Sequence, residues 1–165
     1  TAFITATVLR YFQPGDDAAA AASSAAWMVM FIPMVLASGG NAGSQSATLI
    51  IRMLAVEESR GQNNRLLLDV LTRELRIGVV LGLTVGVLAF LVAQAHVTGQ
   101  QAMVVGTTVS LVVAFGAVTG AMLPLILDRL RLDPALMSNP LIAAIVDVLG
   151  VVVYYQIARI LIGAA

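Results

Sequence analysis

The stretch Ile77–Ala95, IGVVLGLTVGVLAFLVAQA, decides the class of this protein: nineteen residues without a charge. A helix needs about 20 apolar residues to cross the hydrocarbon core of a bilayer, and this run has nearly that length. The pattern repeats on either side. Met103–Leu127 gives twenty-five more uncharged residues, and Pro140–Ile162 another apolar run that carries Asp147 and, near its end, Arg159. Trp27–Ile51 predicts a fourth span, with the polar run Ser38–Ser46 (SGGNAGSQS) expected to interrupt it. Thr1–Phe12 is apolar but too short to cross at about 1.5 Å per residue, so it reads as the second half of a span. The expectation is an all-α membrane protein with five transmembrane helices per chain, the first truncated.

Composition agrees. Of 165 residues, 59% are hydrophobic and 11% charged, where soluble domains carry about 25% charged residues. A small soluble domain leaves much of its surface wet and has no use for so much apolar area. A soluble enzyme, a disordered tail and a free nucleic-acid binder are thereby excluded. Nine arginines balance nine acids, so the zero net charge implies no polyanionic partner. There is no cysteine, hence no disulfide, thiol nucleophile or thiolate metal site.

The arginines set an orientation. Arg52, Arg60, Arg65, Arg73 and Arg76 lie between the second and third spans, and Arg129 and Arg131 between the fourth and fifth. The connections Gln13–Ala26 and Gln94–Gln101 contain none. The positive-inside rule puts the arginine-rich connections in the cytoplasm. The expected location is the cell (inner or plasma) membrane, with the N-terminus cytoplasmic and the C-terminus outside. Leu66–Leu75 (LLLDVLTREL) places Leu67, Leu68, Leu71 and Leu75 at helical spacing, which predicts an amphipathic helix on the cytoplasmic surface.

Polar chemistry gathers in two places. In Pro33–Ser46, Pro33 removes a helix hydrogen bond, and Gly39, Gly40 and Gly43 permit unwinding or close approach. Asn41, Ser44, Gln45 and Ser46 add polar side chains. Close helix packing through small residues accounts for the glycines. It does not require Asn and Gln, which favour a polar cavity; irregular backbone at membrane depth is tolerated only where it is buried in protein or lines such a water-filled cavity. In Asp133–Asp147 (DPALMSNPLIAAIVD), Asp133-Pro134 and Asn139-Pro140 each pair a capping residue with a first-turn proline. This predicts one short turn and a true span start at Pro140, with Asp147 about 10 Å further in. Ala143, one turn before Asp147 on nearly the same face, leaves its backbone carbonyl accessible.

Asp147 is the sole carboxylate in the middle of any span. Such a group costs at least about 2.5 kcal/mol to insert and marks an ion or proton pathway by default. One carboxylate is a poor cage for a bare divalent ion, but Mg²⁺ sheds water reluctantly and usually keeps several waters. A carbonyl- and amide-lined pore suits it, and a two-fold oligomer would supply a second carboxylate. Soft ligands are missing from the spans, and the one histidine, His96, falls in an outer connection.

Pro33 with Gly39-Gly40-Asn41-Ala42-Gly43-Ser44-Gln45, then Leu123-Pro124, then Asp133-Pro134-Ala135 through Pro140 to Asp147, resemble the membrane domain of the MgtE family of magnesium channels and transporters. The likeness covers nearly the whole chain. It implies a homodimer in the lipid bilayer with a pore at the two-fold interface, formed largely by spans two and five. It implies that Asp147 binds hydrated Mg²⁺, helped by backbone carbonyls such as that of Ala143, and that Asn41 and Asn139 line the cytoplasmic mouth. Glu74 resembles an acidic position of the family without an assigned role. Family members usually carry cytoplasmic N-terminal and CBS domains, regulatory parts that residues 1–165 do not contain, so these residues read as a single ion-conducting membrane domain.

The expected function is therefore a dimeric channel or transporter passing hydrated Mg²⁺ into the cytoplasm, with Mn²⁺ or other divalent ions as substitutes. Asp147 holds the ion with the Ala143 carbonyl. Asn41, Asn139, Gly39, Gly40 and Gly43 line or shape the path, with Gln45 and Glu74 as further candidates. The alternative is a proton- or sodium-coupled secondary transporter in which Asp147 is the coupling carboxylate and the broken span binds solute through half-helix ends. A third possibility is a non-transporting membrane partner with polar residues as interhelical glue. Enzyme chemistry is not expected, since no span pairs a nucleophile with a base.

Overall fold

The computed structural model describes residues 18–57 and 64–163. Among them the chain forms four helices: α1 (Ala18–Glu57), α2 (Asn64–Gln94), α3 (Gly99–Arg129) and α4 (Pro134–Ile162). Three segments are long and apolar enough to cross a membrane: Asp69–Gln94, Gly99–Arg129 and Pro134–Ile162. The first half-span, Thr1–Phe12, and Arg60 lie outside the described residues. α1, which contains the expected fourth span Trp27–Ile51, is not one of the three.

The expected break in α1 does not occur. The helix runs unbroken for 40 residues through Pro33 and all three glycines. Proline and glycine weaken a helix, by about 3 and 1 kcal/mol relative to alanine in water. Unwinding at membrane depth would instead strand several backbone groups with no water to bond, so the helix persists. Two of its hydroxyls fold back on their own helix: Ser38 Oγ donates to the Met34 carbonyl at 2.7 Å and Thr48 Oγ1 to that of Ser44 at 2.8 Å. The helix also begins earlier than expected, since the alanine-rich Ala18–Ala26, assigned above to a connection, is already helical.

Two further expectations are corrected. Leu66–Leu75 is no separate surface helix but the opening of the 31-residue α2. Its inward stripe is Val70, Glu74, Gly78, Gly82, Gly86, Ala89 and Ala93, while Leu75 is exposed. The last long helix starts at Pro134 rather than Pro140. The Asp133 side chain caps it, accepting from the Ala135 and Leu136 amides at 2.8 and 3.3 Å. Asn139 and Pro140 are consequently helix interior, and Asp147 lies mid-helix, about 20 Å from the N-terminus at 1.5 Å per residue.

Helix α3 is the hub on which the other three pack, whereas α1 and α2 barely touch. Short connections make neighbours antiparallel. Thr98 caps α3 in a reciprocal box with Gln101, and Arg131, with a φ of 58°, turns the chain between α3 and α4. Glycines set the spacing. A Cβ at Gly82 or Gly86 would run into Ser110 of α3, and one at Gly116 or Gly120 into the Gly39 or Gly43 carbonyl of α1. The main core centres on Val35, Val105, Val109, Val112, Ile142, Val146 and Tyr154. A smaller cluster of Ile50, Val70, Ala121 and Leu125 joins α1, α2 and α3 at the other end. This topology brings Arg52, Arg73, Arg76, Arg129 and Arg131 to one end of the bundle and Arg159 to the opposite end.

Candidate functional site

Helices α1 and α4 run antiparallel in a register set by glycine contacts. A Cβ on Gly43 would meet Ile142 at 2.6 Å, one on Gly39 would meet Val146 at 2.7 Å, and one on Gly150 would meet Leu36 at 3.0 Å. Gly39 and Gly43 are thus small so that α1 can lie against α3 and α4, and not to let the backbone unwind. Gly40 differs: a Cβ there would meet nothing within 4 Å. It borders the face of α1 that no other described helix covers.

That face is polar. Asn41, Gln45, Thr48 and Arg52 follow one another at i, i+4, i+7 and i+11, and all four are exposed. On α4, Asn139, Ala143 and Asp147 succeed each other every four residues along one stripe. Asn139 is exposed, while Ala143 and Asp147 are half-buried. The register sets Asp147 at the level of Gly39 and Gly40, and Ala143 at that of Gly43. Asn139 falls one turn nearer the arginine-rich end. Among the described residues, no arginine pairs with Asp147 and no hydrogen bond to its carboxylate is present.

The two helices therefore carry amides, a hydroxyl and one carboxylate on surfaces that the described residues leave uncovered or half-covered. Among those residues, no three His, Asp or Glu side chains come together as a metal cage would require. A lone carboxylate among amides cannot replace the whole water shell of a small divalent ion, but it can accept hydrogen bonds from that shell.

Glu74 stands elsewhere. It is 3% exposed, on the inward stripe of α2, and accepts a hydrogen bond from Ser46 Oγ of α1 at 2.8 Å. Thr48 and the Ser46–Glu74 bond are not among the sequence candidates, and Arg52 is named there only for orientation. The place of Thr48 and Arg52 on this face is legible in the i, i+4, i+7, i+11 spacing that begins at Asn41. The bond was not, because it joins positions 28 apart on helices with little other contact.

Comparison with known proteins agrees with these observations. The family model MgtE, described as a divalent cation transporter, matches residues 32–157. The magnesium transporter MgtE of Thermus thermophilus is 40% identical over 166 residues, covering 99% of this chain and 34% of that protein. The magnesium transporter MgtE of Bacillus subtilis is 31% identical over 156 residues, covering 94% of this chain and 33% of its own length. That of Enterococcus faecalis is 30% identical over 132 residues, covering 79% and 28%. The chain thus spans about a third of the length of the curated relatives it matches.

Proposed function

The chain belongs to the MgtE family of divalent cation transporters, and from that premise we propose that it conducts hydrated Mg²⁺ into the cytoplasm through a pore between two copies. Each copy contributes five membrane helices, counting Thr1–Phe12 with the four described, as one membrane domain. The pore lies on the two-fold axis, lined by α1 and α4. The observation that carries this reading is Asp147: a carboxylate in the middle of an apolar helix, on a stripe with Asn139 and Ala143, with no arginine partner among the described residues.

Each residue then has a task. Two Asp147 carboxylates, one per copy, attract the ion and accept hydrogen bonds from its water shell. Removing the waters of Mg²⁺ is costly, so a path that leaves them in place costs less. The Ala143 carbonyl, one turn away, accepts from the same shell. Asn41 and Asn139, with Gln45 behind, offer amide oxygens and nitrogens towards the arginine-rich end, which faces the cytoplasm. Gly40 keeps the wall thin beside Asp147. The membrane potential drives the ion inward with about 2.3 kcal/mol per charge per 100 mV. Mn²⁺, with similar preferences for oxygen ligands, substitutes for Mg²⁺. The protein sits in the inner (plasma) membrane with its C-terminus outside, and acts as a transporter and not as an enzyme. The names of the relatives, all magnesium transporters, support this choice of ion.

A coupled transporter using Asp147 as its titrating group is less well supported. Such sites rest on half-helix ends at the membrane midplane, whereas α1 runs unbroken through Gly39–Gly43. The test is Mg²⁺ uptake into vesicles holding the intact protein or its Asp147→Ala variant. Uptake in the variant is expected to fall to the level of empty vesicles while assembly is retained. Unchanged uptake would end the pore assignment, and an absolute requirement for a proton or sodium gradient would favour coupled transport.

A further inference from the structure

Glu74 has no task in that account, and its surroundings do not explain it as a stabilising residue. Every other member of the inward stripe of α2, from Val70 to Ala93, is apolar or glycine. A carboxylate buried there carries a desolvation cost that a well-packed apolar residue would avoid. The hydroxyl of Ser46 offsets part of it. Yet this hydrogen bond occupies a particular place. α1 and α2 hardly touch, and their meeting point is the arginine-rich end, beside the cluster of Ile50, Val70, Ala121 and Leu125.

Ser46 lies on the side of α1 roughly opposite Asn41 and Thr48, given 100° per residue. A bond that pulls Ser46 towards α2 therefore sets the roll of α1 beyond its glycine contacts with α3, and so the direction of its polar face. The glycine contacts at Gly39 and Gly43 hold the same roll one to two turns earlier, and the bond at Ser46 fixes it at the arginine-rich end.

We infer that Glu74 is a positioning residue for permeation: through Ser46 it holds the roll of α1, so that Asn41, Gln45 and Thr48 face the ion path. This rests on the reading that the polar face of α1 lines that path. Glu74 itself, buried and turned away from that face, does not meet the ion.

The experiment reads placement and flux separately. Residues 1–165 contain no cysteine, so Gln45→Cys places one thiol in this region, made in a background where any cysteine elsewhere in the intact protein is replaced by serine. In vesicles of the intact protein, the rate at which a membrane-impermeant maleimide labels that position reports the roll of α1. Mg²⁺ flux is measured in chains without the reporter. Glu74→Leu and Ser46→Ala are each expected to change the labelling rate and lower flux by about fivefold, the weight of one hydrogen bond. Glu74→Gln, whose amide oxygen still accepts from Ser46, is expected to stay within about twofold of the parent on both measures. Ser46→Ala removes a single oxygen and keeps the test open should Glu74→Leu not assemble. Unchanged labelling in Ser46→Ala would overturn the inference, as would a Glu74→Gln variant as impaired as Glu74→Leu, which would make charge and not position the cause. A labelling shift with unchanged flux overturns it too, by removing α1 from the path. Loss of flux in Asp147→Ala alongside unchanged labelling in Ser46→Ala would leave the pore reading standing and remove only the role of Glu74.

Discussion

The α2–α3 seam and the α1–α4 face are both rich in small residues, yet they do opposite things. Along the seam, Gly82 and Gly86 sit so close to Gly106 and Ser110 that any larger side chain forces something to shift, and Gly78 lies tight against Ala114 and Ala117. Apart from Glu74 at its end, the stripe that α2 presents there holds no charge. On the other face, Gly40 borders open space, and Asn41, Gln45, Asn139 and Asp147 are left uncovered or half-covered by the described residues. In the seam, glycine is explained by what it touches. On the face, its neighbours inside the chain do not explain it. A glycine in a membrane helix therefore means one of two things, and the space around its missing side chain tells which.

Substitutions can break this contrast or sharpen it. The largest effect is expected from Gly86→Leu. Its side chain would collide with Ser110 and with the Gly106 carbonyl, at a cost above the usual 1–3 kcal/mol of overpacking because backbone as well as side chain must move. Size-exclusion chromatography of the detergent-extracted protein should show little or no assembled material. A well-assembled Gly86→Leu protein would mean that the seam is looser than drawn.

Next come Asn41→Ala and Asn139→Ala. Both side chains are exposed and hold nothing together within the described chain, so the thermal unfolding midpoint should not move. Mg²⁺ uptake should fall by roughly fivefold each, the worth of a lost amide hydrogen bond to the ion's water shell. A fall in stability with uptake per folded protein intact would return these residues to a packing role.

The smallest effect separates two neighbouring glycines. Gly40→Ala should assemble normally and gain about 1 kcal/mol from better helix propensity, with uptake altered only slightly. Gly43→Ala, whose Cβ would meet Ile142 at 2.6 Å and the Gly116 carbonyl at 3.0 Å, should lose stability. Thermal melts of the two variants side by side decide it. Equal melting points would erase the distinction between closed and open positions.

Much of this was legible beforehand. Long uncharged runs announced the apolar helices, arginine placement sorted their ends, and a spacing of four put Ala143 and Asp147 on nearly the same face. Three things were not legible, each for a physical reason. Gly and Pro in Pro33–Ser46 suggested a break, but at membrane depth unmade backbone hydrogen bonds outweigh low propensity, so α1 holds. Both Asp133-Pro134 and Asn139-Pro140 looked like helix starts. The first is the cap, its side chain bonding the next two free amides, and the second is absorbed into the helix. Glu74 looked like a surface acid on an amphipathic turn. Its burial depends on the angle at which α2 meets α3 and on Ser46 of another helix, neither of which local spacing encodes.

The central claim is that two copies of Asp147 hold one hydrated ion between them. Anomalous diffraction from crystals of the intact protein soaked in Mn²⁺ tests it most directly. The account predicts one peak on a two-fold axis between the two Asp147 side chains, separated from their oxygens by a layer of water, at roughly 4 Å instead of the ~2.1 Å of direct coordination. Asp147 side chains turned to lipid in an assembled dimer, or a peak elsewhere with none at that position, would contradict it.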